Sequence, residues 1–286
     1  MKMLRFQVTA MLFFGLLSTC ASSGTPNVPP QERPKRPAAK AAAAAQEEVS
    51  PEEKRKRKDW ALSIHKKPAP KKGCFTVAYP STEWKEVACV KAPNIPAIPR
   101  HGPRPAVVGN GNDVSAQAPS GHISQAIGHF ENVNVTSESG PIANAGPSIA
   151  DTYTLQINSD QPNTGTCPGT PAAGCTPWEQ WIFWNTPGTT STASIQYWLI
   201  GYGPTCPTGQ GWIQYGNSCY KNSNNAVTVT PNQSITSMAN WILSGTATAT
   251  GDSITMTSGT AGGTTNGDNV VAASTFWTIA EFNIFG

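Results

Sequence analysis

From about Ser120 onward the chain breaks into short runs of alternating apolar and polar residues, each closed by Gly, Pro, Asn or Ser. In Tyr153–Asn158, Tyr153, Leu155 and Ile157 fall on one side, and Thr154, Gln156 and Asn158 on the other. A period of two is that of a strand, whose side chains point to opposite faces in turn. The same reading predicts strands over His122–Val135, Asp151–Asn158, Glu179–Trp184, Ser194–Tyr202 and Trp212–Tyr215. It continues over Ala226–Thr230, Trp241–Thr250, Ser253–Thr257, Asn269–Ala272 and Phe276–Phe285. A turn near Ile235–Trp241 is the one helical feature in this region. Many short strands joined by loops of varied length predict an all-β fold, a two-sheet antiparallel sandwich over residues 121–286. The chain ends at Asn283-Ile284-Phe285-Gly286, inside an apolar strand pattern, which points to further strands missing beyond the C-terminus.

The upstream part reads differently. Lys2 and Arg5 precede a short apolar run, Val8–Leu17, which Ser18, Thr19 and Cys20 then end. The run is short for a bilayer span and has the layout of an export signal, assigned to residues 1–22. Leu17-Ser18-Thr19-Cys20 resembles the lipobox of bacterial lipoproteins, in which the Cys is acylated, although Thr19 departs from that pattern. Two outcomes stay open: lipidation at Cys20, which would anchor the protein in a membrane, or cleavage near Ala21–Ser23 and release. Residues 23–72 are rich in Pro, Ala, Lys, Arg and Glu and predict a disordered, partly helical basic linker. Its helix begins at Ser50-Pro51-Glu52-Glu53, a capping box with Pro at the first helical position, and runs to about His65. Residues 73–91 predict a hairpin of two strands stapled by Cys74 and Cys89, and 92–120 a Pro- and Gly-rich connection.

Cysteine usage supports export. Setting Cys20 aside leaves six: Cys74, Cys89, Cys167, Cys175, Cys206 and Cys219. Their spacing predicts disulfides between neighbours, 74–89, 167–175 and 206–219, in an oxidising compartment. No C-x-x-C pair is present and the four His lie apart from the Cys, so neither a metal nor another cofactor is expected. Charge divides along the same line. Residues 1–100 hold 18 Lys/Arg against 8 Asp/Glu, and residues 101–286 hold 2 against 9. The basic run Lys54–Lys58 suits a solvated linker or an anionic surface, and export from the cytoplasm argues against nucleic acid as a partner.

The chemistry is carried by aromatic and amide side chains. Trp178, Trp181, Trp184, Tyr197, Trp198, Tyr202, Trp212 and Tyr215 crowd one stretch, interleaved with Gln180, Gln196 and Gln214. Rings of this kind stack on sugar rings or apolar ligands, and amides bond hydroxyls. That makes recognition of an extracellular polymer or protein the first expectation, with Glu179, Gln180, Trp181 and Trp198 as ligand-binding candidates. Core filling between sheets is the competing use of the same rings. No G-x-S-x-G, H-E-x-x-H or P-loop motif occurs. Glu281 stands alone as a carboxylate in the last strand, in a row with Trp277, Ile279, Asn283 and Phe285.

Three segments bring in a family. Leu155-Gln156-Ile157-Asn158, then Trp178-Glu179-Gln180-Trp181-Ile182-Phe183-Trp184, then Ile279-Ala280-Glu281-Phe282 resemble, in order and rough spacing, motifs of the glutamic peptidases (eqolisins). The fold class resembles the concanavalin A-like sandwiches to which that family belongs. The match spans about twenty residues; Ile157 replaces the family's Gly after its Gln, and its Trp-x-Gly-Ile strand is not recognisable. The resemblance implies Gln156 and Glu281 as catalytic residues. In the family, Glu moves protons on and off a water, and Gln orients that water and stabilises the tetrahedral intermediate. An acid-active hydrolase is therefore the alternative to recognition.

Overall fold

A computed structural model of the chain describes residues 49–286, apart from 100–112, 132, 134, 141–148, 161–166, 168–173, 187–190, 230–232 and 286. The export segment with Cys20, and the linker as far as residue 48, lie outside the described residues.

Two antiparallel sheets form the body. The smaller has six strands: β1 (Cys74–Ala78), β2 (Lys85–Val87), β4 (Gln125–His129), β13 (Trp241–Thr248), β14 (Gly251–Ser258) and β15 (Ala261–Gly267). Their order is β2-β1-β15-β14-β13-β4. The larger contains β3 (Asp113–Gln117), β7 (Tyr153–Asp160), β8 (Thr176–Asn185), β9 (Thr192–Ile200), β10 (Ile213–Tyr215), β11 (Ser218–Asn222) and β16 (Ile279–Phe285). These run β10-β11-β9-β8-β7-β16-β3, and the short β12 (Val227–Thr228) pairs with β9. A two-residue pair, β5 (Ser139–Gly140) and β6 (Ile149–Ala150), stands apart from both sheets.

The sheets face each other across one apolar core. Tyr153, Leu155, Ile157, Trp181, Phe183 and Ile195 of the larger sheet meet Trp241, Leu243, Ile254 and Met256 of the smaller. Tyr153 stacks on Trp241 with ring centroids 5.0 Å apart, and Trp181 on Trp277 at 4.5 Å. Such stacks need the opposite backbone close by. A Cβ on Gly245 of β13 would lie 2.3 Å from Trp181, and one on Gly267 would lie 2.2 Å from the Tyr197 hydroxyl. Glycine stands at these positions because no side chain fits.

The helix α1 (Pro51–Ile64) forms with Ser50 as its cap, the Ser50 hydroxyl accepting from the Glu53 N–H at 3.2 Å. It is not part of a solvated linker. Trp60, Ala61 and Ile64 are buried against Val77 and Ile242, on the outer side of the smaller sheet. Just past the helix, His65 is buried and hydrogen-bonded to Ser244 Oγ at 2.7 Å and Thr257 Oγ1 at 3.0 Å. The folded unit therefore starts near residue 48 rather than 73. The 74–89 hairpin likewise is no separate unit, since β1 pairs along its length with β15.

All three neighbour disulfides are present, 74–89, 167–175 and 206–219, with Cα separations of 5.3, 5.5 and 5.8 Å. Such staples belong to oxidising compartments. The predicted strand at Asn269–Ala272 is instead loop, and the strand falls earlier, at Ala261–Gly267. The last strand starts at Ile279 rather than Phe276, so Trp277 turns into the core and leaves the row of Glu281.

Candidate active site

Because the apolar back of each strand is locked into the core, its alternate residues are thrown to the outer side of the larger sheet. Tyr153, Leu155 and Ile157 do this for Thr154, Gln156 and Asn158 on β7. Ala280, Phe282 and Ile284 do it for Glu281 and Asn283 on β16. Strands β7 and β16 are antiparallel neighbours, with Gln156 opposite Asn283 and Glu281 opposite Asn158. Gln156 and Glu281 are thus diagonal neighbours on one face, a relation that spaces backbones by about 7–8 Å. Two side chains of this length can hold a single water between them across that gap.

The surroundings are amide-rich. Gln156 is buried; its Nε2 donates to Thr154 Oγ1 at 2.8 Å and its Oε1 accepts from Gln180 Nε2 at 3.1 Å. Those two bonds fix both the position and the flip of the Gln156 amide, and leave one of its two N–H hydrogens for another acceptor. Beside it, the buried Asn158 Oδ1 and Gln180 Oε1 have no hydrogen-bond donor. Buried acceptors are rarely left so, because desolvation without a bond is costly. Glu281 is half-buried.

The four residues expected to bind ligand are placed elsewhere in two cases. Glu179 and Trp181 share a side with Phe183 and face the core, because odd positions of β8 point inward. Neither is open to a ligand. Gln180 and Trp198 do lie on the outer face, yet both are buried: Gln180 under its amide neighbours, Trp198 among Trp178, Tyr220 and Ile98. Among the described residues, the exposed large apolar side chains are Val90, Val114, Ile127, Ile149, Ile213 and Tyr215, with no Trp among them.

A second polar group lies in the core itself. Glu179 on β8 is fully buried next to Asp252 on β14, and with both ionised none of the four carboxylate oxygens has a donor. A proton held between the two acids supplies one. Burial first, and the Asp252 charge second, hold the Glu179 carboxyl well above the ordinary carboxylate range. Burial likewise pushes Asp252 up to about 7. Tyr197, whose hydroxyl donates to the Asp268 carbonyl at 2.8 Å, is raised by the same burial and by these acids. Asp252 was not singled out in the sequence, because a lone Asp in Gly251-Asp252-Ser253 reads as a turn residue. Among the described residues no three His, Cys, Asp or Glu side chains form a group that could hold a metal ion.

Comparison of the chain with protein-family models, with curated proteins and with solved structures finds no match. The functional reading therefore rests on the residues and geometry of the outer face.

Proposed function

We propose that this sandwich is an acid-active hydrolase of polypeptides, with Gln156 and Glu281 as its catalytic residues, working outside the cytoplasm. The observation that carries the reading is their common face on adjacent strands, in a register that makes them diagonal neighbours. Recognition by the Trp rings stands second, because Trp181 faces the core and Trp178, Trp184 and Trp198 are packed against Ile95, Ala97 and Ile98. The resemblance of the chain to concanavalin A-like sandwiches and to the motifs of glutamic peptidases fits the same reading. Export through residues 1–22, with Cys20 as a lipid anchor or with free release, belongs to this proposal, and three disulfides suit the compartment it implies.

The chemistry needs one titratable carboxylate and one neutral amide donor. Glu281 takes a proton from the water as its oxygen attacks the peptide carbonyl carbon. The carbonyl oxygen becomes an oxyanion, and the second N–H of Gln156 donates to it. Glu281 then gives its proton to the amide nitrogen as the C–N bond breaks, releasing an amine and a carboxylic acid. The bond that Gln156 donates to Thr154 and the one it accepts from Gln180 keep its donor aimed without rearrangement during the reaction.

The test is cleavage of an acid-denatured protein between about pH 2 and 7, a range bracketing carboxylate titration. Wild type is expected to cut in the acidic part of that range, and Glu281→Gln to lose cutting while its melting temperature is kept. Absence of cleavage at every pH would sink the reading and return recognition to first place.

A further inference from the structure

Residues 93–99, Pro-Asn-Ile-Pro-Ala-Ile-Pro, lie across part of the outer face. They run over β8, β9 and β11, beside the strand that carries Gln156. The contact is of a particular kind. The Pro93 carbonyl accepts from Asn222 Nδ2 at 3.1 Å, and the Ile95 carbonyl from Gln196 Nε2 at 3.0 Å. The Ala97 N–H donates to Gln196 Oε1 at 2.7 Å. The three backbone groups are two residues apart, as an extended chain presents them to one side. Between these bonds, Ile95 and Ala97 pack on Ile182 and Trp184, and Ile98 packs on Trp178 and Trp198. Ile182 is the residue paired with Gln156 across β7 and β8.

Bonds to a peptide's main chain give affinity and pockets for its side chains give specificity; here side-chain amides of the sheet face make the first kind of contact and Trp-lined pockets the second. Gln196 and Asn222 are held ready for that backbone: Gln196 Nε2 also donates to Asn222 Oδ1 at 2.6 Å, and Gln196 Oε1 also accepts from Trp198 Nε1 at 2.9 Å. The strap is fixed at its start, where Val90 exchanges two backbone hydrogen bonds with Ala226 next to the Cys74–Cys89 disulfide. It stays on one sheet face by these side-chain contacts rather than as a strand of the sheet.

We propose that residues 93–99 form an intramolecular strap that occupies the peptide-binding half of the outer face, in the place of an extended polypeptide with aliphatic side chains at the positions of Ile95 and Ile98. The inference rests on the hydrolase reading for its consequence, which is self-inhibition. The occupancy itself is tested apart from catalysis. A tethered occupant acts at an effective concentration in the millimolar range, so a free peptide competes poorly until the tether is released.

The experiment replaces residues 93–99 with a Gly/Ser segment of equal length in the full chain. A synthetic peptide of residues 91–99 is then titrated against the variant and the wild type, with Trp fluorescence as the readout. The variant is expected to bind the peptide at least tenfold more tightly than wild type, and to show a lower KM for denatured protein with kcat little changed. Ile95→Ser with Ile98→Ser, which weakens the strap without removing it, is measured in the same way in case the full replacement does not fold. Binding of the peptide without cleavage by any form keeps the strap and removes the hydrolase. Cleavage with equal peptide affinity in variant and wild type keeps the hydrolase and overturns the strap. Loss of folding in both variants overturns it too, since the segment would then be core and not a removable occupant.

Discussion

Glu179 and Asp252 meet between the two sheets with no donor for either carboxylate unless they share a proton. A proton that the folded state keeps and the unfolded chain releases makes stability depend on pH. Both acids have raised folded values, so their contribution is full below about pH 4, the unfolded value, and the part carried by Asp252 is lost as pH rises through about 7. Asp268 adds to the penalty on an Asp252 charge, and the same acids in turn raise the Tyr197 phenol. His65 acts in the opposite sense. Burial lowers it to about 3, so the unfolded chain takes up a proton below about pH 6.5 that the folded state refuses, and that stability is lost on acidification. Melting curves from pH 3 to 9 separate the two effects. Asp252→Asn is expected to flatten the loss between about pH 5 and 8, by roughly 1–3 kcal/mol or some 4–10 °C, and His65→Gln the loss below pH 6. Unchanged slopes in Asp252→Asn would mean that the acids do not share a proton. At the active face, Gln156→Ala is expected to lower the cleavage rate by roughly 10²–10³, the cost of one oxyanion donor, with KM little changed. Alternation put Gln156 on a polar row and Glu281 on an aromatic one, and motif resemblance alone joined the two; their common face follows from the strand register, which the sequence does not name. Asp252 was not readable, because a strand's sequence does not name which residue faces it from another sheet.

Among the elements, β15 was the hardest to see. Ala261-Gly262-Gly263-Thr264-Thr265-Asn266-Gly267 has the composition of a loop, yet it is a central strand paired with β1 and β14. Its glycines answer a packing need: a Cβ on Gly262 would lie 2.9 Å from Thr257, and one on Gly263 3.2 Å from Val227. The β13 glycine shows the same constraint more sharply. Gly245→Ala is expected to destabilise by about 1–3 kcal/mol, because the added Cβ meets Trp181, which is fully buried and stacked on Trp277. A melting temperature within a degree of wild type would show that the core yields more easily than its geometry implies. Strands β7, β8, β9, β13 and β14 were legible because each carries strict alternation or a long apolar run. The helix α1 was legible from its cap, Ser50-Pro51-Glu52-Glu53, but its docking was not. Only Trp60, Ala61 and Ile64 point inward, and five consecutive basic residues mask them in any average over the segment.

At the scale of the whole molecule the described residues form layers: helix, smaller sheet, core, larger sheet, and a strap across the outer face. The helix layer has a measurable worth. Removal of residues 49–67 uncovers Val77 and Ile242 and leaves the hydroxyls of Ser244 and Thr257 without His65. Burial of Trp60 and Ile64 alone is worth about 1.5–3 kcal/mol each, so the truncated protein is expected to melt at least 5 °C lower. An unchanged melting point would mean that the helix only rests on the sheet. The sandwich and its disulfide pairs followed from strand spacing and cysteine neighbours, whereas the layering did not, because it depends on long-range contacts. Hydrolysis by this domain requires Gln156 and Glu281 to act as one site. A double-mutant cycle on cleavage of denatured protein at acidic pH measures this directly, since residues that act as a unit are not additive. Glu281→Gln is expected to abolish turnover, Gln156→Ala to cut it strongly, and the double variant to be no worse than Glu281→Gln alone. Wild-type rates in either single variant, or no turnover by the wild type at any pH, would contradict it.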